Sequence, residues 1–412
     1  MKKTKDTSLY DEKLQFEELG QIENVFQKAV KLSARAIPYA LLTLVLITIL
    51  EGYTGVLSNI SGRTWQLDIN RQPSNHRGQG QLSFSSLLAM IKTKAARGPL
   101  QQIIIGDSIL VAGLMDFYHK QHDTNGNILG DALPNSVNLS QGAQEWGTSA
   151  LMINRLSQET FIKKEKPTLI IDVNVKFFSY SESFSPVFPV EILLCSETSS
   201  LSPQLEAVCN SLQSDWPKTL SDIGKLSPLF LRGLQGQFDF FMTFIQKSPI
   251  YDILGPRYGM LPLRSLTPGI VDAKRIIKAK KASGNLSDRP AFIADNSDAN
   301  FAGNILKMYE MTGHKKHLWI DALANSVSQW PGKAIVLWVG FSPKVHALLN
   351  DENLNLLAKI RTDIMSKFVG SGKTDIKFVS IQDILPDPHY YVDMDHLIPE
   401  GHRRLGDSFR KF

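Results

Sequence analysis

Four short apolar runs punctuate the chain, and longer stretches of mixed polarity separate them. The runs are QQIIIGDSIL (101–110), PTLIIDVNVKFF (167–178), KAIVLWVGFSP (333–343) and DIKFVSIQDIL (375–385). Each is rich in β-branched residues and bounded by turn residues, the pattern of a buried strand. Helical periodicity fills the intervals, in WGTSALMINRLSQETFIKK, SDANFAGNILKMYEMTGHKKHLWIDALANSV and VHALLNDENLNLLAKIRTDIMSKFVG. Strands alternating with long helices predict βαβ units and a mostly parallel sheet, an α/β fold. Residues 181–290 break the rhythm with Ser/Pro-rich loops, both cysteines and the aromatic run GQFDFFMTFI. This segment is read as an insertion, a cap over the carboxyl edge of the sheet.

A different pattern lies near the N-terminus. Residues 37–50, IPYALLTLVLITIL, carry no charge, and the stretch continues through EGYTGVL to residue 57. A helix needs about 20 residues to cross the hydrocarbon core, so 36–57 suffices as a transmembrane anchor. Lys28, Lys31 and Arg35 precede it and Glu51 lies near its other end. The positive-inside rule then puts the N-terminus in the cytoplasm and the rest outside, anchored in the cell inner or cytoplasmic membrane. Glu51 sits at headgroup depth or faces a partner helix within the membrane. Residues 1–35 form a charged cytoplasmic tail, 58–98 a polar connector ending in a short helix, and 99–412 the α/β domain.

Composition narrows the classes. Hydrophobic residues make up 43% and charged residues 21%, ordinary for a folded chain. The 45 basic and 40 acidic residues leave a formal charge of only +5, no footprint of a nucleic-acid binder. Cys195 and Cys209 are the only cysteines. Outside the cytoplasm such a pair can close a disulfide; otherwise they are two separate buried thiols. His119/His122 and His314/His317 have metal-ligand spacing without supporting carboxylates, and no metal or cofactor is expected. Gly370-Ser-Gly-Lys-Thr374 lacks the first glycine of a phosphate loop.

The candidate chemistry lies at the two ends of the α/β region. The first run delivers the chain to Gly106-Asp107-Ser108, where a serine at a strand-to-helix turn has free N–H groups and the positive helix end beside it. Such a hydroxyl can attack a carbonyl while the neighbouring N–H stabilises the oxyanion. The tripeptide also reads as an ordinary turn with an N-cap serine. After the last run comes Asp393-Met-Asp395-His396. A carboxylate three residues before an imidazole can hold Nδ1–H and leave Nε2 to take a serine proton. Asp395 is a rival carboxylate, but as the neighbour of His396 its side chain is expected to point elsewhere. Both segments follow strands, hence lie at the carboxyl edge where open α/β sheets place their sites.

In these residues the sequence resembles the SGNH/GDSL hydrolase superfamily. GDSIL (106–110) is similar to its first block, VNLSQGAQ (137–144) to its second with Gly142, DVN (172–174) to its third, and DMDHLIPEG (393–401) to its last. The third block departs from the pattern in lacking a glycine before Asn174. One membrane helix followed by such a domain is similar to the DltD-like and AlgJ/AlgX-like branches. The resemblance implies a flavodoxin-like three-layer α/β/α domain. It implies Ser108 as nucleophile, His396 as general base and Asp393 as orienting carboxylate. The oxyanion hole would come from Ser108 and Gly142 N–H groups and Asn174. Acyl-ester hydrolysis or transfer on a cell-surface polymer or exopolysaccharide would follow, beside a membrane-bound O-acyltransferase partner. The alternative is a non-catalytic assembly subunit of such a complex.

Overall fold

A computed structural model describes residues 37–67, 83–107, 109–110, 133, 135–140, 144–179, 190–196, 201–214, 222, 225–247, 293–311 and 315–411. Five strands form one all-parallel sheet: β1 (Gln102–Ile105), β2 (Ser136–Asn138), β3 (Thr168–Asn174), β4 (Ala334–Val339) and β5 (Ile376–Ser380). Their order is β2-β1-β3-β4-β5, the doubly wound order in which the direction of winding reverses between β1 and β3. The register is continuous, with Ile104 opposite Ile170, Asp172 opposite Leu337 and Trp338 opposite Ser380. All six side chains of β4 are buried, as a sheet covered on both faces requires.

The covering helices follow in chain order. α1 (Ile37–Thr54) leads to α2 (Val56–Leu67) and α3 (Phe84–Ala95). After β2 come α4 (Trp146–Ser157) and α5 (Thr160–Glu165). The next stretch holds α6 (Val190–Ser196), α7 (Pro203–Gln213), α8 (Pro228–Lys247), α9 (Asn296–Met311) and α10 (Lys315–Ser328). α11 (Pro343–His346) and α12 (Asp351–Gly370) precede β5, and α13 (Ile381–Ile384) and α14 (Pro399–Phe409) follow it. One face of the sheet, with Ile103, Ile105, Ile171 and Val336, packs on Leu151, Leu323, Ile360 and Phe368 of α4, α10 and α12. The other, with Ile104, Ile170 and Leu337, packs on Ile381, Leu405 and Phe409.

Several elements end earlier than their apolar pattern. The run at 167–178 leaves the sheet at Asn174, whose Oδ1 accepts the Lys176 N–H at 3.0 Å and turns the chain into a 3-10 helix, Val175–Ser179. The run at 375–385 stops at Ser380 and becomes α13. The helical stretch from 345 divides at Asn350, which caps α12 by accepting from Asn353 N at 2.9 Å.

Both described parts of the 58–98 connector are mostly helical, and residues 68–82 lie outside the described residues. α2 occupies 56–67, and α3 sends Phe84, Leu87, Met90 and Ile91 into the main core. Glu51 accounts for α2. It is buried, and its carboxylate accepts from Leu57 N at 2.7 Å, Ser58 N at 2.9 Å and Ser58 Oγ at 2.9 Å. It thus serves the free N–H groups at the start of the next helix.

α1 is long and apolar enough to cross a membrane. Its first three turns are exposed, with Tyr39 at 74% and Leu44 at 50%. At its other end α8 crosses it closely. A Cβ on Gly233 would lie 1.9 Å from Thr48 O, and one on Gly52 2.2 Å from Leu229 O. The described helices of the 181–290 insertion differ from the expected cap. α7 joins the main core through Leu205, Val208 and Leu212, and α8 docks on α1, α2 and α3. Residues 248–290 lie outside the described residues. Cys195 of α6 and Cys209 of α7 are joined in a disulfide with Cα atoms 5.5 Å apart.

Candidate active site

The carboxyl ends of β1 and β3, flanking the winding reversal, meet the loop after β5. β1 hands the chain to Gly106, which passes so close over β3 that a Cβ there would lie 2.4 Å from Asp172 Oδ1. Only glycine fits this crossing. Asp107 N then donates to the Asp172 carboxylate at 3.2 and 3.3 Å, and Asp107 Oδ1 accepts from Ile109 N at 2.8 Å. This Asx-type turn fixes the backbone on either side of position 108. Burial pushes the Asp172 carboxyl well above the usual carboxylate range, and the neighbouring Asp107 charge adds to it.

The loop after β5 is closed by a bridge between Tyr391 and Leu397 and by Val392 N donating to His396 O at 2.9 Å. Within it Asp393 Oδ1 accepts from Asp395 N at 3.0 Å and from His396 N at 2.8 Å. The same carboxylate reaches the ring, with Oδ2 2.8 Å and Oδ1 3.1 Å from His396 Nδ1. The pairing is therefore local: the loop that presents the imidazole is built on the carboxylate that orients it.

Asp395 does not point away. Its Oδ1 lies 3.3 Å from His396 Nδ1 and 3.1 Å from Lys176 Nζ. An alternation of side chains would separate neighbours, but this tight loop turns both carboxylates to the same ring. Burial works against charge on His396, yet Asp393 and Asp395 outweigh it and hold the imidazole pKa well above its ordinary 6.5. Burial would likewise raise Asp395, but Lys176 and His396 hold it below the usual carboxylate range. Asp393 is also lowered, the His396 charge overcoming burial. His402 on α14 is pushed down to about 3 by burial, with the His396 charge adding to it.

Asn174 occupies the centre. Its Nδ2 donates to Asp107 Oδ2 at 2.8 Å and to Asp395 Oδ2 at 3.3 Å. Through these two contacts Asn174 ties the turn after β1 to the loop after β5. Ser108 and Gly142 lie outside the described residues. Asn174, Asp393 and His396, from segments more than two hundred positions apart, come together.

Asp107, Asp172 and Lys176 were not singled out from the sequence. A signal for Asp172 and Asn174 existed: they are alternating polar residues inside an otherwise apolar strand, and a buried polar group demands a partner. Asp393, Asp395 and His396 offer ligand atoms within 4.8 Å of one another. Those atoms are spent on hydrogen bonds among themselves and on the Lys176 ammonium, which supplies the positive charge a cation would bring. No family model, curated protein or solved structure matches the chain.

Proposed function

We propose that the chain is a membrane-anchored serine esterase or O-acyltransferase of the SGNH type, acting on acyl esters of a cell-surface polymer or exopolysaccharide. One observation carries this reading. His396 Nδ1 sits 2.8 Å from Asp393 Oδ2 at the sheet edge that also holds Asp107, the residue before Ser108. An imidazole whose Nδ1 is held by a carboxylate presents its Nε2 as a base.

In the proposed reaction the Ser108 hydroxyl attacks the acyl carbonyl and its proton passes to His396 Nε2. Backbone N–H groups at Ser108 and Gly142 stabilise the oxyanion. Collapse expels the sugar or polymer alcohol, which takes the proton back from His396 and leaves an acyl-serine. A second hydroxyl, from water or an acceptor sugar, gives its proton to His396 and attacks the acyl-serine carbonyl; the Ser108 oxygen leaves and takes that proton back, and the acyl group departs as acid or new ester. No cofactor enters these steps.

α1 supports a single-pass anchor; the basic residues that precede it in the sequence are the ground for placing the N-terminus in the cytoplasm and the α/β domain outside, in an envelope or periplasmic setting. The Cys195–Cys209 bond supports an oxidising compartment. A membrane-bound O-acyltransferase is the partner this arrangement suits. Labelling the full chain with a fluorophosphonate tests the reading. The label should attach to Ser108 and vanish in Ser108→Ala and His396→Ala. Equal labelling of Ser108→Ala, or none of the native chain, overturns it.

A further inference from the structure

Asp395 binds more of the site together than a rival to Asp393 would. It is buried at 2% exposure and accepts from Lys176 Nζ at 3.1 Å and from Asn174 Nδ2 at 3.3 Å, partners some 220 positions earlier in the chain. Asn174 reaches on to Asp107. One carboxylate therefore connects the turn after β1, the end of β3 and the loop after β5.

We infer that Asp395, held by Lys176 and Asn174, is a positioning residue that places a second carboxylate against His396 Nδ1 and couples its loop to the turn Asp107 makes after β1. The catalytic meaning of this clamp rests on the serine-enzyme reading above.

The chemistry follows from the contacts. With one carboxylate partner, an imidazole can tilt about a single hydrogen bond. With two acceptors on Nδ1, the ring plane and the Nδ1–H tautomer are both constrained, and Nε2 carries the lone pair. Two carboxylates beside one ring repel each other, and a buried unpaired charge is costly. Lys176 offsets the second one. The groups facing His396 are Asp393 and Asp395 on its own loop, Lys176 after β3, Asp107 beyond Asn174, and the neutral His402 of α14. Asp395 and Lys176 therefore push the imidazole ionisation in opposite directions.

Diethyl pyrocarbonate modifies neutral imidazole, so the pH dependence of its reaction at His396, read by peptide mass spectrometry on the full chain in detergent, reports that ionisation without any ester. The midpoint should fall by about one unit in Asp395→Asn, a change of about tenfold in the neutral fraction at a pH below it. It should rise in Lys176→Met and stay at the native value in Lys176→Arg. Should Asp395→Asn fail to fold, the Lys176 pair still decides. Midpoints that coincide across the folded variants overturn the clamp. Fluorophosphonate labelling run alongside separates the two ideas. A native chain that never labels removes the serine reading alone, whereas one that labels with an immobile His396 midpoint removes the clamp alone.

Discussion

His396 and Asp393 are joined twice, once through the backbone and once through the ring: Asp393 Oδ1 takes the His396 N–H at 2.8 Å and Oδ2 lies 2.8 Å from Nδ1. The double link makes Asp393 both a turn-former and an orienter. Asp393→Asn keeps an acceptor for the backbone N–H but offers the ring a neutral amide. A wrong tautomer at such a position costs roughly 10,000-fold in kcat. Asp393→Asn should therefore retain the native melting temperature and lose most turnover of a p-nitrophenyl ester, whereas Asp393→Ala should lower both.

The charge around the ring sets a pH dependence. His396 binds its proton more tightly than a free imidazole because Asp393 and Asp395 face it. A general base must be neutral, so kcat/KM should rise with pH and reach half its plateau above 6.5. A half-maximum at or below 6.5 would contradict the arrangement.

His402 acts on stability in the acid range. Folded, it resists protonation down to about 3; unfolded, it takes a proton near 6.5. The unfolded state binds more protons between those values, so stability falls as pH drops through them. His396 has the opposite sense: its contribution is full below about 6.5 and is lost as pH rises through its raised folded value. His402→Phe should accordingly flatten the loss of melting temperature between pH 6.5 and 4, and His402→Gln should do the same if packing is kept.

Much of the framework was legible because burial on both faces leaves a mark. β1, β4 and the first half of β3 are apolar at successive positions, and no loop has reason to be; β5 was readable only from Ile376, Phe378 and Val379, with Lys377 exposed between them. β2 left almost none: Ser136-Val-Asn138 is three residues long, two of them polar, and it becomes a strand because Ile103 and Ile104 lie beside it. α2 was hidden for a related reason, since the carboxylate of Glu51 supplies the cap. In the site, Asp393 and His396 were readable because a spacing of three on one loop already implies contact. Lys176 and Asp107 were not, because what brings Asp107 to Asn174, and the end of β3 to the loop after β5, is parallel strand pairing across the winding reversal.

The disulfide gives a test of compartment and of stability together. Cys195 and Cys209 are each 2% exposed and tether α6 to α7. Closing a loop of about this length contributes roughly 3 kcal/mol in the chain-entropy model. Intact mass should rise by about two hydrogens on reduction after unfolding. The Cys195→Ser/Cys209→Ser chain should melt several degrees lower. A chain isolated with two alkylatable thiols would place the α/β domain in a reducing compartment and count against an outward orientation.

The junction between α1 and α8 gives the last prediction. Gly233 approaches Thr48 so closely that a Cβ would lie 1.9 Å from the Thr48 carbonyl oxygen, and Gln237 Nε2 donates to Thr48 Oγ1 at 2.9 Å. One turn away, Gly236 leaves room for Glu51 Oε1, 2.3 Å from where its Cβ would be. The opposing atom at Gly233 is backbone, which cannot swing aside, so Gly233→Ala must push α8 off α1. Overpacking of this kind costs about 1–3 kcal/mol. Gly370→Ala, where a Cβ would meet nothing within 4 Å, is the control and should leave the melting temperature unchanged or slightly raised, as a helical Gly→Ala change does. Glu51→Ala should destabilise by a comparable amount for a different reason, because it strands the N–H groups of Leu57 and Ser58 at the start of α2. Because these contacts lie at the far end of the apolar helix from its exposed turns, both substitutions should loosen α8 and increase its cleavage by protease. Membrane extraction should still require detergent. Release of either variant from membranes by salt alone would show that α1 is held by protein packing and not by lipid.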